Sequence, residues 1–186
     1  MKPILRSQRE VQLKYNSWMI RPIKYPEGGL RDLTVSDLPQ FLEIRNSVSF
    51  MLHNPLQFTL EECRSWFNQQ AQRYFVFETK DSGIIGYFRV KISDSNPHEA
   101  EIGLDLSPRF HGRNWSKWLY FRLINEILLP LEIQDLTLRV LRINLPAISL
   151  YTDMGFHTYQ ESKSDFSMRA NLIDVHKYLS HYLDRK

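Results

Sequence analysis

The sequence predicts a mixed α+β domain, a single unit with a central, mostly antiparallel sheet flanked by helices. Three observations carry this. The segments "RYFVFET", "IIGYFRVKI" and "HEAEIGLDL" follow one another with only turn chemistry between them, the pattern of adjacent antiparallel strands. A long amphipathic run then separates "HEAEIGLDL" from a further β-branched segment, "LTLRVL", which reads as a strand–helix–strand crossover. Finally, 186 residues with 42% apolar and 13% aromatic content suffice to bury one core.

In order along the chain, "YPEGG" (Tyr25 to Gly29) breaks regular structure and sets residues 1–28 apart as an extension. "LRDL" reads as a short strand. "SDLPQFLEIRNS" reads as a helix with Leu38, Phe41, Leu42 and Ile44 near helical spacing and Ser36 or Asp37 placed to cap it. "TLEECRSWFNQQAQ" opens with a capping-box pattern, Thr59 and Glu62, and puts Leu60, Cys63, Trp66 and Phe67 on one face. Within "HEAEIGLDL" the period of two sends Ala100, Ile102, Leu104 and Leu106 to one face and Glu99, Glu101 and Asp105 to the other. After "LTLRVL", "NLPAISLYTDM" reads as a helix closed by Gly155, "FHTYQES" and "DFSMRANL" as a last pair of strands, and residues 173–186 as a C-terminal helix.

Composition narrows the function classes. The charge is uneven: residues 1–28 carry six basic residues against two acidic ones, whereas the body is nearly neutral. A nucleic-acid-binding domain shows a clustered basic stripe, and only the extension offers one, so nucleic acid is not the expected partner. The lone Cys63 cannot form an internal disulfide, which suits a cytoplasmic setting. No apolar run approaches the roughly 20 residues that span a bilayer. Histidine, cysteine and carboxylate spacings offer no metal site, and none is expected.

The chemistry concentrates in "SPRFHGRNWSKWL". A strand that ends at Leu106, a short loop and a helix that starts near Asn114 bring unpaired backbone N–H groups and a positive helix end to one point. Gly112 lets the backbone approach a ligand, and Arg109, Arg113 and Lys117 add positive charge, so the loop reads as a diphosphate site. The plainer alternative is an ordinary strand-to-helix loop that needs a glycine to turn.

This segment resembles the acyl-CoA-binding motif of the GNAT superfamily of N-acyltransferases: Arg109, Gly112 and Asn114 match its R/Q-x-x-G-x-G/A loop, followed by Trp115, Ser116 and Leu119 at the helix start. Downstream, "LTLRVLRINLPAISLYTDMGF" is similar to the family's second half through Asn144, Ala147, Tyr151 and Gly155–Phe156, and upstream "LRDLTVSDLPQFLEIRN" is similar to its opening strand and helix. Asn114 stands where the family has Gly or Ala, and Ser116 where it often has Gly. Asparagine is the non-glycine residue most tolerant of left-handed backbone, which keeps the loop geometry within reach.

The resemblance implies an acetyltransferase domain over residues 29–172 and transfer of an acetyl group from acetyl-CoA to a primary amine, such as a protein N-terminus or an amino sugar, by direct attack. It implies Tyr151 as general acid and places His111 and Asn144 with the loop residues Arg109 to Lys117 at the cofactor. It also implies backbone pairing of Leu104 and Leu106 with the pantetheine arm, in the manner of an added strand. Glu101, polar on the same strand, is the candidate general base. Phe50, Met51, Leu52 and His53 fall where the family shapes its acceptor pocket. A monomer or homodimer is expected, without a membrane or metal partner. The alternative is a non-catalytic CoA-binding or interaction module on the same fold, its basic extension contacting a partner.

Overall fold

The computed structural model describes residues 25–69 and 72–185. Most of the basic extension, residues 1–24, lies outside the described residues. The elements are β1 (Gly28–Asp32), α1 (Leu38–Ser47), α2 (Leu60–Gln69), β2 (Arg73–Thr79), β3 (Gly83–Ile92), β4 (Glu99–Leu106), α3 (Trp115–Leu123), β5 (Asp135–Leu141), α4 (Leu145–Asp153), β6 (His157–Glu161), β7 (Asp165–Asn171) and α5 (Leu172–Asp184). They form one seven-stranded sheet in the order β1-β2-β3-β4-β5-β7-β6. Only the β4–β5 pair is parallel, and α3 makes its crossover, as the change of period predicts. The fold class expected from sequence is the one observed.

Alternation along β2 and β3 feeds two cores. Phe75, Phe77 and Phe88 point to a large cluster with Leu119, Leu123, Tyr151, Leu172 and Val175, under α3, α4 and α5. Val76 and Tyr87 point the other way, to Leu38, Phe41, Ile44 and Cys63 of α1 and α2. The sheet is therefore buried on both faces at its centre.

The local signals fare unevenly. The Thr59–Glu62 capping box forms in both directions: the Glu62 carboxylate accepts from the Thr59 N–H at 2.7 Å, and the Glu62 N–H donates to the Thr59 hydroxyl at 3.2 Å. Asp37 stands at the N-cap position of α1, as expected, but its side chain makes no cap bond there. Instead Asp37 closes a 3-10 turn, Val35–Asp37, accepting from the Thr34 N–H at 2.8 Å and from both Arg31 Nη atoms at 2.6 and 2.9 Å. An arginine on β1 outcompetes the helix end for this carboxylate, because a bidentate charged pair is stronger than a single cap bond.

One irregularity positions the site. The parallel β4–β5 ladder runs only from Glu99↔Asp135 to Glu101↔Thr137, and beyond Glu101 the two strands part. Ser107 donates to Ile85 across the antiparallel β3 ladder, so alternation turns the N–H and C=O of Leu104 and Leu106 toward the gap.

Candidate active site

Two cavities open where β4 leaves β5. The first, of about 340 Å³, lies on the α1–α2 side and is lined by Phe41, Trp66, Tyr74, Tyr87, Arg89 and Asp105, with His53 and Arg139 at its edge. The second, of about 530 Å³, runs along α3 past Leu106, His111, Gly112, Ser116 and Pro146. Met51, Leu104, Asp105, Asn144, Ala147 and Tyr151 line both, so the cavities meet at the strand divergence.

The loop that feeds the second cavity has the geometry its sequence demands. Gly112 sits at φ +71°, where a side chain is strained but nothing else crowds it. Asn114 sits at φ 58°, ψ 21° and begins α3 from the left-handed region, the conformation that asparagine tolerates better than other non-glycine residues. His111 is tied back through Nε2 to the Leu106 carbonyl at 2.8 Å. Asn144 caps α4, its Oδ1 accepting from the Ala147 N–H at 3.3 Å.

Of the residues that the sequence points to, Leu104, Leu106, His111, Gly112, Ser116, Asn144 and Tyr151 come together on the second cavity. The remaining loop side chains are spent elsewhere. Trp115 stacks on Phe110, with ring centroids 5.2 Å apart, and the Arg113 guanidinium lies over both rings. Arg109 lines a separate groove toward Gln40 and Glu43. Lys117 turns to the C-terminal helix, donating to Tyr178 at 2.7 Å and pairing with Asp153 at 3.0 Å. Glu101 lines neither cavity; it stands in the ladder opposite Lys91. Met51, Leu52 and His53 do wall the first cavity, while Phe50 faces the second.

Tyr151 is 7% exposed, and its hydroxyl lies 3.2 Å from that of the fully buried Tyr120. Burial raises the Tyr151 phenol above its ordinary value even though the Tyr120 hydroxyl opposes this, and it raises Tyr120 strongly. Both phenols are therefore protonated at neutral pH, and either hydroxyl can donate to the other; where Tyr120 donates, the Tyr151 proton is free for another acceptor.

Sequence reasoning missed the floor of the first cavity. Asp105, Tyr87, Arg89 and Tyr74 share one face of β2, β3 and β4; the period of two separated Asp105 from the apolar face of β4 but did not show that α1 and α2 cover the face it is on. Burial raises the Asp105 carboxyl above its ordinary value, against the opposing charge of Arg89 and a hydrogen bond from Tyr87. Burial lowers the His53 imidazole, aided by Arg139, so His53 is neutral at pH 7 although Asp165 lies 3.6 Å away. The signal available was charge: Arg89 and Asp105 each interrupt an otherwise apolar strand centre.

No group of three or more metal-ligating side chains occurs among the described residues, and none of their helices is long and apolar enough to cross a membrane.

Comparison with known proteins agrees with this fold. Among solved structures, spermidine N-acetyltransferase from Vibrio cholerae in complex with CoA and spermine superposes with a TM-score of 0.68 at 20% identity, over 80% of this chain and 97% of that one. The yncA protein of Salmonella typhimurium, solved with its cofactor acetyl-CoA, gives 0.63 at 16% identity, over 78% of this chain and 94% of that one. No curated protein matches by sequence. The family model described as an acetyltransferase (GNAT) domain matches residues 29–157, and the chain therefore belongs to the GNAT acetyltransferase family.

Proposed function

We propose that the protein transfers an acetyl group from acetyl-CoA to a primary amine by direct attack within a ternary complex. One observation carries this reading: two cavities, one beside a glycine-bearing loop at a helix N-terminus and one walled by aromatic and charged side chains, meet at Tyr151. The residues fit a CoA thioester. Gly112 and the N–H groups at the start of α3 suit a diphosphate. The N–H and C=O of Leu104 and the N–H of Leu106, turned to the strand gap, suit the amides of a pantetheine arm, while the Leu106 carbonyl is held by His111. Lys117, held by Tyr178 and Asp153, is given no part in phosphate binding in this reading. Loss of that charge leaves the backbone and helix dipole as the main anion attractors.

The amine enters through the first cavity. Its nitrogen attacks the thioester carbonyl carbon, the C–S bond breaks, and the departing thiolate takes the Tyr151 proton. The proton lost by the amine needs an acceptor. Asp105 lines both cavities with a raised carboxyl, whereas Glu101 lines neither, so Asp105 takes the base role in this reading. Solvent reprotonates Tyr151 and takes the proton from Asp105, which closes the cycle.

The test combines acetyl-CoA, a panel of amines and a thiol reagent that detects free CoA. Expected are a CoA-dependent rise in melting temperature and thiol release with at least one amine. Gly112→Trp, which fills the loop, abolishes both. If acetyl-CoA gives no thermal shift and Gly112→Trp behaves as wild type, the reading is wrong; binding without turnover on any amine points instead to a non-catalytic module.

A further inference from the structure

We infer that the amine accepted in the first cavity carries an anionic oxygen group, a carboxylate or a phosphate, and that Arg89 is the residue that reads it. The inference rests on the function proposed above and deepens it. Arg89 projects from β3 across β4, and the sequence leaves room for it: a Cβ on Gly103 would lie 2.6 Å from Arg89 Nη2. The guanidinium is largely buried and lines the cavity floor. Although burial opposes its charge, Asp105, Tyr74, Tyr87 and Glu101 together keep it cationic. Yet neither Asp105 nor Glu101 comes within ion-pairing distance, and no other carboxylate among the described residues does. A buried cation is costly unless an anion meets it, so a permanent charge left open to a cavity calls for an anionic ligand. Arginine's planar fork suits two oxygens at once.

The remaining charges of the cavity point the same way. Arg45 also lines it but is committed to the carbonyls of Asn54 and Leu56. Arg139 contributes a second cation at the β5 wall, paired with Asp165 at 3.3 Å. Arg45, Arg89 and Arg139 line the cavity against the single carboxylate of Asp105, which gives it a field of net positive sign. Such a field repels a polycation and favours the unprotonated form of an entering amine. The aromatic wall of Phe41, Trp66 and Tyr74, whose rings pack within 5.7 Å of one another, would receive an apolar or flat body. At about 340 Å³ the space suits a small molecule.

Matched pairs in the thiol-release assay test this: L-phenylalanine against its amide, a glucosamine phosphate against glucosamine, and spermidine as the polycation. The expected result is kcat/KM at least 10-fold higher for the anionic member of one pair, and which pair responds distinguishes carboxylate from phosphate. Arg89→Gln should collapse that ratio toward one by raising KM for the anionic member, with acetyl-CoA affinity unchanged. Arg139→Ala, on an exposed and thus tolerant site, should reduce the ratio less. A mere packing role for Arg89 would lower both members equally and leave the ratio intact, which overturns the inference. Preference for spermidine, or equal use of charged and neutral members, overturns it too while leaving the acetyltransferase reading standing. Acetyl-CoA binding with no turnover of any amine overturns both.

Discussion

At the scale of single residues, the two phenols Tyr151 and Tyr120 and the Asp105 carboxyl define the expected kinetics. Tyr151→Phe removes a proton donor without changing the packed ring, so kcat should fall about 100-fold with the acetyl-CoA dissociation constant unchanged. An unaltered kcat would transfer the acid role elsewhere. The Asp105 carboxyl is raised, so it acts as a base only above its shifted pKa. The rate should therefore climb with pH through a limb displaced upward from the ordinary aspartate value, and Asp105→Asn should remove that limb and lower kcat about 100-fold. Asn114 carries a separate expectation. Its φ of 58° strains any β-branched residue, so Asn114→Val should destabilise the protein by about 1–2 kcal/mol, whereas Asn114→Gly should match or exceed wild type in a denaturant titration. Position 114 also shows what a sequence can disclose on its own. Asparagine in a glycine position announces left-handed backbone, and the structure has it there. The neighbouring Lys117 could not be read this way, because its partners Asp153 and Tyr178 lie far along the chain and no local pattern encodes them.

At the scale of elements, β1 is joined to α1 by charge rather than by a helix cap. Arg31 bonds Asp37 through two nitrogens and Glu78 through Nε at 2.7 Å, which ties the edge strand, the turn and β2 together. The hydrogen bond from Arg31, outweighing burial, lowers the Asp37 carboxyl from 3.8 to about 2. Asp37 is thus more acidic folded than unfolded. Its contribution is complete above the unfolded value and disappears as pH falls through about 2. With Arg31 over a third exposed and solvent screening the pair, about 1 kcal/mol is at stake. The stability difference between wild type and Asp37→Asn should stay constant from pH 7 to 5 and shrink below pH 4; a constant difference down to pH 2 would mean that the pair contributes nothing. Elements were legible in sequence wherever one period dominated, as in β2, β3 and α2. The polar face of β4 misled for a physical reason: alternation reports two faces but not what covers each, and α1 and α2 cover the one that carries Asp105 and Arg89.

At the scale of the whole molecule, the seven-stranded sheet is continuous at its base and split above Glu101, and the split creates both cavities from one feature. Neither strand sequence reveals the split, because β4 and β5 each look ordinary alone; only the likeness of the whole segment order to a family suggests it. The split has a consequence that can be measured. Leu104 and Leu106 present N–H groups to a gap with no facing strand, so in the free protein these amides should exchange with solvent far faster than Ile102, which precedes them beside the closed ladder. A pantetheine arm lying in the gap takes the place of the missing strand and should slow them together. Acetyl-CoA bound, as proposed, to the folded chain alone should also raise stability by about 2.7 kcal/mol at 100 times its dissociation constant. The two readouts must move in step: protection at Leu104 and Leu106 with no gain in melting temperature would mean local ordering without binding energy. A gain in melting temperature with those amides still exchanging freely would place the cofactor away from the strand gap, and the meeting of the two cavities at Tyr151 would then have no part in catalysis.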